Sequence, residues 1–169
     1  MKKLLIVLVA VLMAAPSFAQ KTTVTRVNRE KTYKTSSHDL NVWYQGELNF
    51  GYGLASDYNM SRVFLETIHG ARITKYAYAG IGVGVQYALD WEEVIIPAFV
   101  DLKGYYPVTD DFAPYVAIDL GYGAGTGDID GGFYGSFGAG VNYKKLNFGL
   151  GYQKFGEVGS FFVKVGIKF

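Results

Sequence analysis

Across residues 42–169 the chain alternates with period two, large apolar side chains on one face and glycine, amide or charge on the other. The last segment shows the pattern in full: Phe161, Val163, Val165, Ile167 and Phe169 share a face, and Phe162, Lys164, Gly166 and Lys168 share the opposite one. Successive Cβ atoms of a strand point to opposite sides of a sheet, so this spacing predicts strands and not helices. In the first segment Tyr44, Leu48, Phe50 and Tyr52 stand against Gln45, Glu47, Asn49 and Gly51. Further along, Ile81, Val83 and Val85 oppose Gly80, Gly82, Gly84 and Gln86, while Val100 and Leu102 oppose Asp101 and Lys103. Ile118 and Leu120 then oppose Asp119 and Gly121, Phe137 and Val141 oppose Ser136 and Asn142, and Phe148 and Leu150 oppose Asn147 and Gly151. With a second strand expected over residues 62–74, the segments number eight.

A soluble sandwich or barrel also alternates, but it buries its large residues and turns the polar ones to water. Here the smaller face carries Gly, Asn, Gln and paired charge, too polar for a core. The large face is better matched to lipid, where every backbone group must pair internally and a sheet must close on itself. Segments of about 9–11 residues are the length a tilted strand needs to cross a bilayer. The expectation is an all-β, eight-stranded antiparallel up-and-down transmembrane β-barrel over residues 42–169.

The beginning of the chain reads differently. Met1, Lys2 and Lys3 precede an apolar run over residues 4–15, then Pro16, Ser17, Phe18 and Ala19. Basic, apolar and small residues in that order predict a signal peptide over residues 1–19, cleaved after Ala19. The run is too short for a membrane helix, which needs about 20 residues. Residues 20–41 follow, polar and rich in Lys and Arg, and are expected to form a flexible lead-in. The 16 Lys and Arg, less Lys2 and Lys3, nearly balance the 15 Asp and Glu, which leaves no electrostatic case for nucleic acid. The absence of cysteine excludes disulfides and thiol chemistry.

On the inward face Glu47, Glu66, Asp101 and Asp119 are set against Arg72, Lys103, Lys164 and Lys168. Closing the first strand on the eighth predicts Glu47 and Lys164 as a lumen pair, with Asp101, Lys103 and Asp119 as a second cluster. The plainer role of such a network is to fill a narrow barrel and satisfy buried charge; the functional one is a gate. Strand two holds a conflict. Glu66 and His69 are an odd number apart, so they face opposite sides unless a bulge near Thr67 or Gly70 turns both inward. A lipid-facing His69 raises the alternative of an enzyme acting on lipid, though neither a serine beside it nor a second base is evident.

Trp43, Tyr44, Tyr106 and Tyr143 at one end of the strands, and Trp91, Tyr122 and Phe133 at the other, are expected to form two interfacial aromatic girdles. Counting from a periplasmic N-terminus, residues 55–61, 90–93, 125–132 and 155–160 become short outer loops. These carry Asp57, Asp90, Glu92, Glu93, Asp128, Asp130 and Glu157, open to weak divalent-ion bridging to lipopolysaccharide. The Gly- and Asp-rich residues 125–132 lack the later acidic ligand of a calcium hand and the Lys-Ser/Thr of a phosphate loop, and are expected to be a hairpin loop. No cofactor or metal constellation is evident.

Taken together, residues 42–169 resemble the small bacterial outer-membrane barrels, the group that includes the transmembrane domain of outer-membrane protein A and the opacity-like porin-family barrels. The ending on Phe161, Val163, Val165, Ile167 and Phe169 looks like the C-terminal assembly signal of such proteins. The resemblance implies an outer-membrane location, both termini in the periplasm, contact with outer-membrane lipid and lipopolysaccharide, and recognition by the assembly machinery through the last strand. The expected role is non-enzymatic, in the barrier, structure or surface of the membrane; a narrow solute channel and loop-mediated adhesion or ligand binding are the alternatives.

Overall fold

The computed structural model describes residues 41–55, 61–90, 92–127 and 130–169. The expected leader over 1–19 and nearly all of the lead-in lie outside the described residues, as do Asp57, Trp91 and Asp128. Each alternating segment forms one strand: β1 Val42–Ala55, β2 Arg62–Ile73, β3 Ala77–Ala88, β4 Glu93–Tyr105, β5 Phe112–Gly125, β6 Gly132–Tyr143, β7 Leu146–Phe155 and β8 Val158–Lys168. Each pairs antiparallel with its successor, and β1 pairs with β8, so the sheet closes into an eight-stranded barrel with no free edge.

The register of β1 on β2 runs without interruption from Val42 opposite Ile73 to Gly53 opposite Arg62. No bulge interrupts β2 near Thr67 or Gly70, so strict alternation holds there. Glu66 faces inward beside Asn49, and His69 faces out opposite Gly46. The conflict in strand two is therefore resolved by leaving the histidine on the lipid side.

The connections are tight. Thr74 (φ 58°) opens the β2–β3 turn and Lys144 (φ 54°) the β6–β7 turn, each in the left-handed region that short hairpins demand. Gly156 (φ 56°) meets the same demand without a Cβ penalty in the β7–β8 turn. That turn consists of Gly156 and Glu157 alone, because pairing continues from Phe155 opposite Val158. The outer loop expected over residues 155–160 is thus far shorter, its ends having joined the ladder.

Burial is inverted relative to a soluble protein. Ile81 is 69% exposed and Leu150 64%, whereas Asn49 and Asp101 are fully buried. Inward glycines give room to aromatic rings from other strands, adjacent or further round the wall. A Cβ on Gly82 would lie 2.5 Å from Cζ of Phe99, and one on Gly149 would lie 2.7 Å from the Tyr115 hydroxyl. The glycines therefore let large side chains cross the lumen, consistent with the narrow bore of eight strands.

Candidate functional site

Two features could carry chemistry: the charged lumen and the polar side chains around His69. In the lumen, Lys103 on β4 reaches across to β1, its Nζ donating to Oε2 of Glu47 at 2.5 Å. The same Nζ lies 2.9 Å from Oδ2 of Asp101, an ion pair without a hydrogen-bonding approach. Gln45 Nε2 donates to the other Glu47 oxygen at 2.9 Å. Asp101 and Asp119 are ladder partners on β4 and β5, and Ser136 Oγ donates to Oδ2 of Asp119 at 2.5 Å.

Lys164 does not pair with Glu47. The β1–β8 register sets Glu47 opposite Lys168 and Gly51 opposite Lys164, so the expected partners stand at different heights on the wall. Lys164 Nζ instead donates to Oε1 of Glu66 at 2.8 Å, passing over β1 to reach β2. Asn49 Nδ2 donates to the same Glu66 oxygen at 3.1 Å, and Asn147 Nδ2 donates to Asn49 Oδ1 at 2.9 Å. Arg72, expected in this network, sits nearer the end that carries the termini. Its guanidinium lies 3.5 Å from the Tyr105 ring centroid and donates to Gln45 Oε1 and to the Lys75 carbonyl.

A further polar layer was not anticipated. Arg62 donates to Gln86 Oε1 at 3.3 Å and to Ser160 Oγ at 2.8 Å, and Gln86 lies 3.5 Å from Gln153. All four share the inward parity, and polarity at those positions was the signal available. Above this layer Ala88, Ile95 and Phe155, with Val158 packed against them, form an apolar cap at the loop end. Toward the other end Phe99 and Tyr134 (centroids 5.2 Å apart) belong to an aromatic cluster with Ile68, Tyr78, Tyr105 and Tyr115. Polar layers and apolar layers therefore alternate along the lumen.

On the outer face His69 is held by a chain of hydrogen bonds. Tyr44 Oη lies 2.6 Å from Nδ1, and Nε2 lies 3.0 Å from Thr67 Oγ1. Thr67 Oγ1 in turn donates to the Glu47 carbonyl at 3.3 Å. One arrangement pairs every proton of the three: Thr67 donates to the carbonyl, the imidazole proton sits on Nε2 and is donated to Thr67, and Nδ1 accepts from Tyr44. Every polar atom of the three is then satisfied, the condition for tolerating a histidine toward lipid. The Phe169 ring meets His69 edge-on at 6.0 Å, and Phe169 exchanges both backbone hydrogen bonds with Gly46.

Phe161, Val163, Val165, Ile167 and Phe169 all face outward and are exposed. Tyr44, Tyr106, Tyr122, Phe133 and Tyr143 are likewise exposed at strand ends. Trp43 departs from the expected girdle. It is the ladder partner of Arg72 and lines the lumen mouth with that side chain, because its parity is that of Gln45 and Glu47. In the 125–132 loop, Thr126 is tied to β4, its Oγ1 accepting from Val94 N at 3.0 Å and donating to Val94 O at 3.2 Å. Among the described residues no group of three or more metal-ligating side chains is present.

A closed antiparallel barrel of eight strands, apolar outside and polar within, is the architecture of the small bacterial outer-membrane barrel proteins. Among solved structures the chain is similar to the outer membrane enzyme PagL, with a TM-score of 0.61 at 12% identity over 72% of this chain and 98% of that one. It is also similar to Neisserial surface protein A, with a TM-score of 0.54 at 13% identity over 76% of this chain and 97% of that one. At these identities the likeness is one of fold. No family model matches the chain, and no curated protein matches it in sequence.

Proposed function

We propose that the chain is an integral protein of the bacterial outer membrane with a non-enzymatic role in its barrier or structure. The observation that carries this reading is the filled lumen. Ion-paired, aromatic and apolar side chains cross the interior in successive layers, which opposes the alternative of a solute channel. Planar-bilayer recordings on the refolded barrel are expected to show no conductance steps; regular unitary steps would establish the channel reading. Connections of six, four, six and two residues at the end away from the termini offer little surface for adhesion. The termini are assigned to the periplasmic side, which puts the acidic Asp90, Glu92, Asp130 and Glu157 outside, toward lipopolysaccharide.

The surroundings of His69 support the same reading. The hydroxyl beside the imidazole is that of Thr67, and the Glu47 carbonyl, 3.3 Å from its Oγ1, competes with His69 for its proton. His69→Ala should leave the acyl composition of lipid A unchanged in cells overproducing the protein, measured by mass spectrometry of extracted lipid. A loss or gain of one acyl chain on substitution would identify the His69 face as a lipid-modifying site.

The outward row ending in Phe169 is the proposed contact for the assembly machinery. Removing Phe169 is expected to lower the fraction of protein in cells that migrates as a folded barrel in unheated gels, while the purified chain still refolds into detergent. Equal folding in cells with and without Phe169 would remove that assignment.

A further inference from the structure

The mouth at the terminus-bearing end opens into a cavity of about 390 Å³ that the barrier role does not use. Its basic lining, Arg72, Lys75, Lys144 and Lys168, outnumbers the acidic Asp110 and Asp111. Among the described residues no carboxylate comes within 4.0 Å of any of these four cations. Lys75 and Lys144 rest instead beside the rings of Tyr76 and Tyr143, and Arg72 over Tyr105.

A second observation points to a ligand. Asn142 lines this cavity, is only 3% exposed, and neither its Nδ2 nor its Oδ1 has a hydrogen-bond partner. Its ladder neighbour Asn147 does not meet the need, because that residue's amide is turned to Asn49. A buried amide without partners costs about 1–3 kcal/mol, so in native structures such groups are normally paired. The cavity thus brings together an excess of positive charge over its two aspartates, an amide donor and an amide acceptor on one side chain, and Trp43.

We propose that this cup binds a small organic anion that carries hydroxyl groups, of the sugar-phosphate or sugar-acid class. The oxyanion lies among Arg72, Lys144 and Lys168 and accepts from Nδ2 of Asn142; a neighbouring hydroxyl of the same ligand donates to Oδ1. The ring packs against Trp43, whose inward parity otherwise has no lipid to meet. The same chemistry, a phosphate flanked by hydroxyls, is found in a free sugar phosphate and in the headgroup of phosphatidylglycerol.

The test uses the refolded, ¹⁵N-labelled barrel in nanodiscs of phosphatidylcholine, with the Asn142 side-chain amide identified by its loss in Asn142→Leu. Titration with glucose 6-phosphate is expected to move that amide saturably. Lys168→Gln should weaken binding about tenfold, equivalent to about 1.4 kcal/mol. Lys144→Gly, which removes charge while suiting the positive φ of the turn, should weaken it in the same direction. Nanodiscs containing phosphatidylglycerol separate the sources. An Asn142 amide already displaced there, and no longer responsive to glucose 6-phosphate, assigns the site to the headgroup; an undisplaced, responsive amide assigns it to a soluble ligand. An Asn142 amide unmoved by both, or moved equally in the parent, Lys168→Gln and Lys144→Gly proteins, overturns the proposal. Unheated gel mobility of each variant reports whether the barrel is intact.

Discussion

Lys103→Met is expected to lower the unfolding free energy of the barrel by about 3–5 kcal/mol, read from urea titration of the protein folded into vesicles. The methionine preserves much of the side-chain volume, so the loss isolates charge. Among the described residues Lys103 is the one cation within ion-pair distance of both Glu47 and Asp101, and all three are buried. Removing it leaves two carboxylates in the lumen, with Asp119 next to Asp101 across the ladder. Adding Glu47→Gln to Lys103→Met should recover part of the loss, since one stranded charge disappears. A single-variant loss below about 1 kcal/mol would mean that water, not Lys103, compensates these carboxylates.

Val163→Lys should destabilise the barrel by about 2–4 kcal/mol in the same measurement, the range for a lysine facing lipid near the midplane. Val163 lies at the middle of β8, outward, between Tyr52 on β1 and Leu150 on β7 as ladder partners. The adjacent residue supplies the contrast, because Lys164 is a native lysine one step along the same strand. Its side chain enters the lumen and meets Glu66. Identical chemistry at neighbouring positions is expected to differ in sign of effect solely because of which side of the wall it occupies. A neutral Val163→Lys would place that face in water and contradict the membrane reading.

Much of this arrangement is legible before any coordinates. Period two assigns a side to each residue, and the sides of Glu47, Asp101, Lys103, Asp119 and Lys164 follow from parity alone. Parity does not specify partners. Glu47 and Lys164 looked like neighbours because each lies a few residues from the mouth, but the stagger between β1 and β8 separates them and the reach of a lysine spans the lumen. Lys103 therefore finds Glu47 from the far wall, a contact that depends on barrel diameter. The alternative of a bulge in β2 rests on the cost of an unpaired histidine in lipid. That cost is removed by Tyr44 on the neighbouring strand and Thr67 two residues away, whose positions beside the ring follow from register. Residue type and proximity to the end point Trp43 to the girdle, whereas its odd position places it with Gln45 on the lumen side.

The manner of closure has a kinetic consequence. Seven of the eight strand pairings join consecutive strands and form hairpins, while the pairing of β1 with β8 joins the two ends of the barrel. Among the described residues three buried side-chain hydrogen bonds bridge that junction: Lys164 to Glu66, Asn147 to Asn49 and Arg62 to Ser160, each separated by 98 positions in the chain. Contacts between such distant residues bear the entropy of closing a long loop, so hairpins are expected to assemble first and the ring to shut last. Once shut, the junction is fastened from within by groups that lipid cannot hydrate. Sideways opening would strand them in hydrocarbon, so the same three contacts that complete the ring also act as its latch.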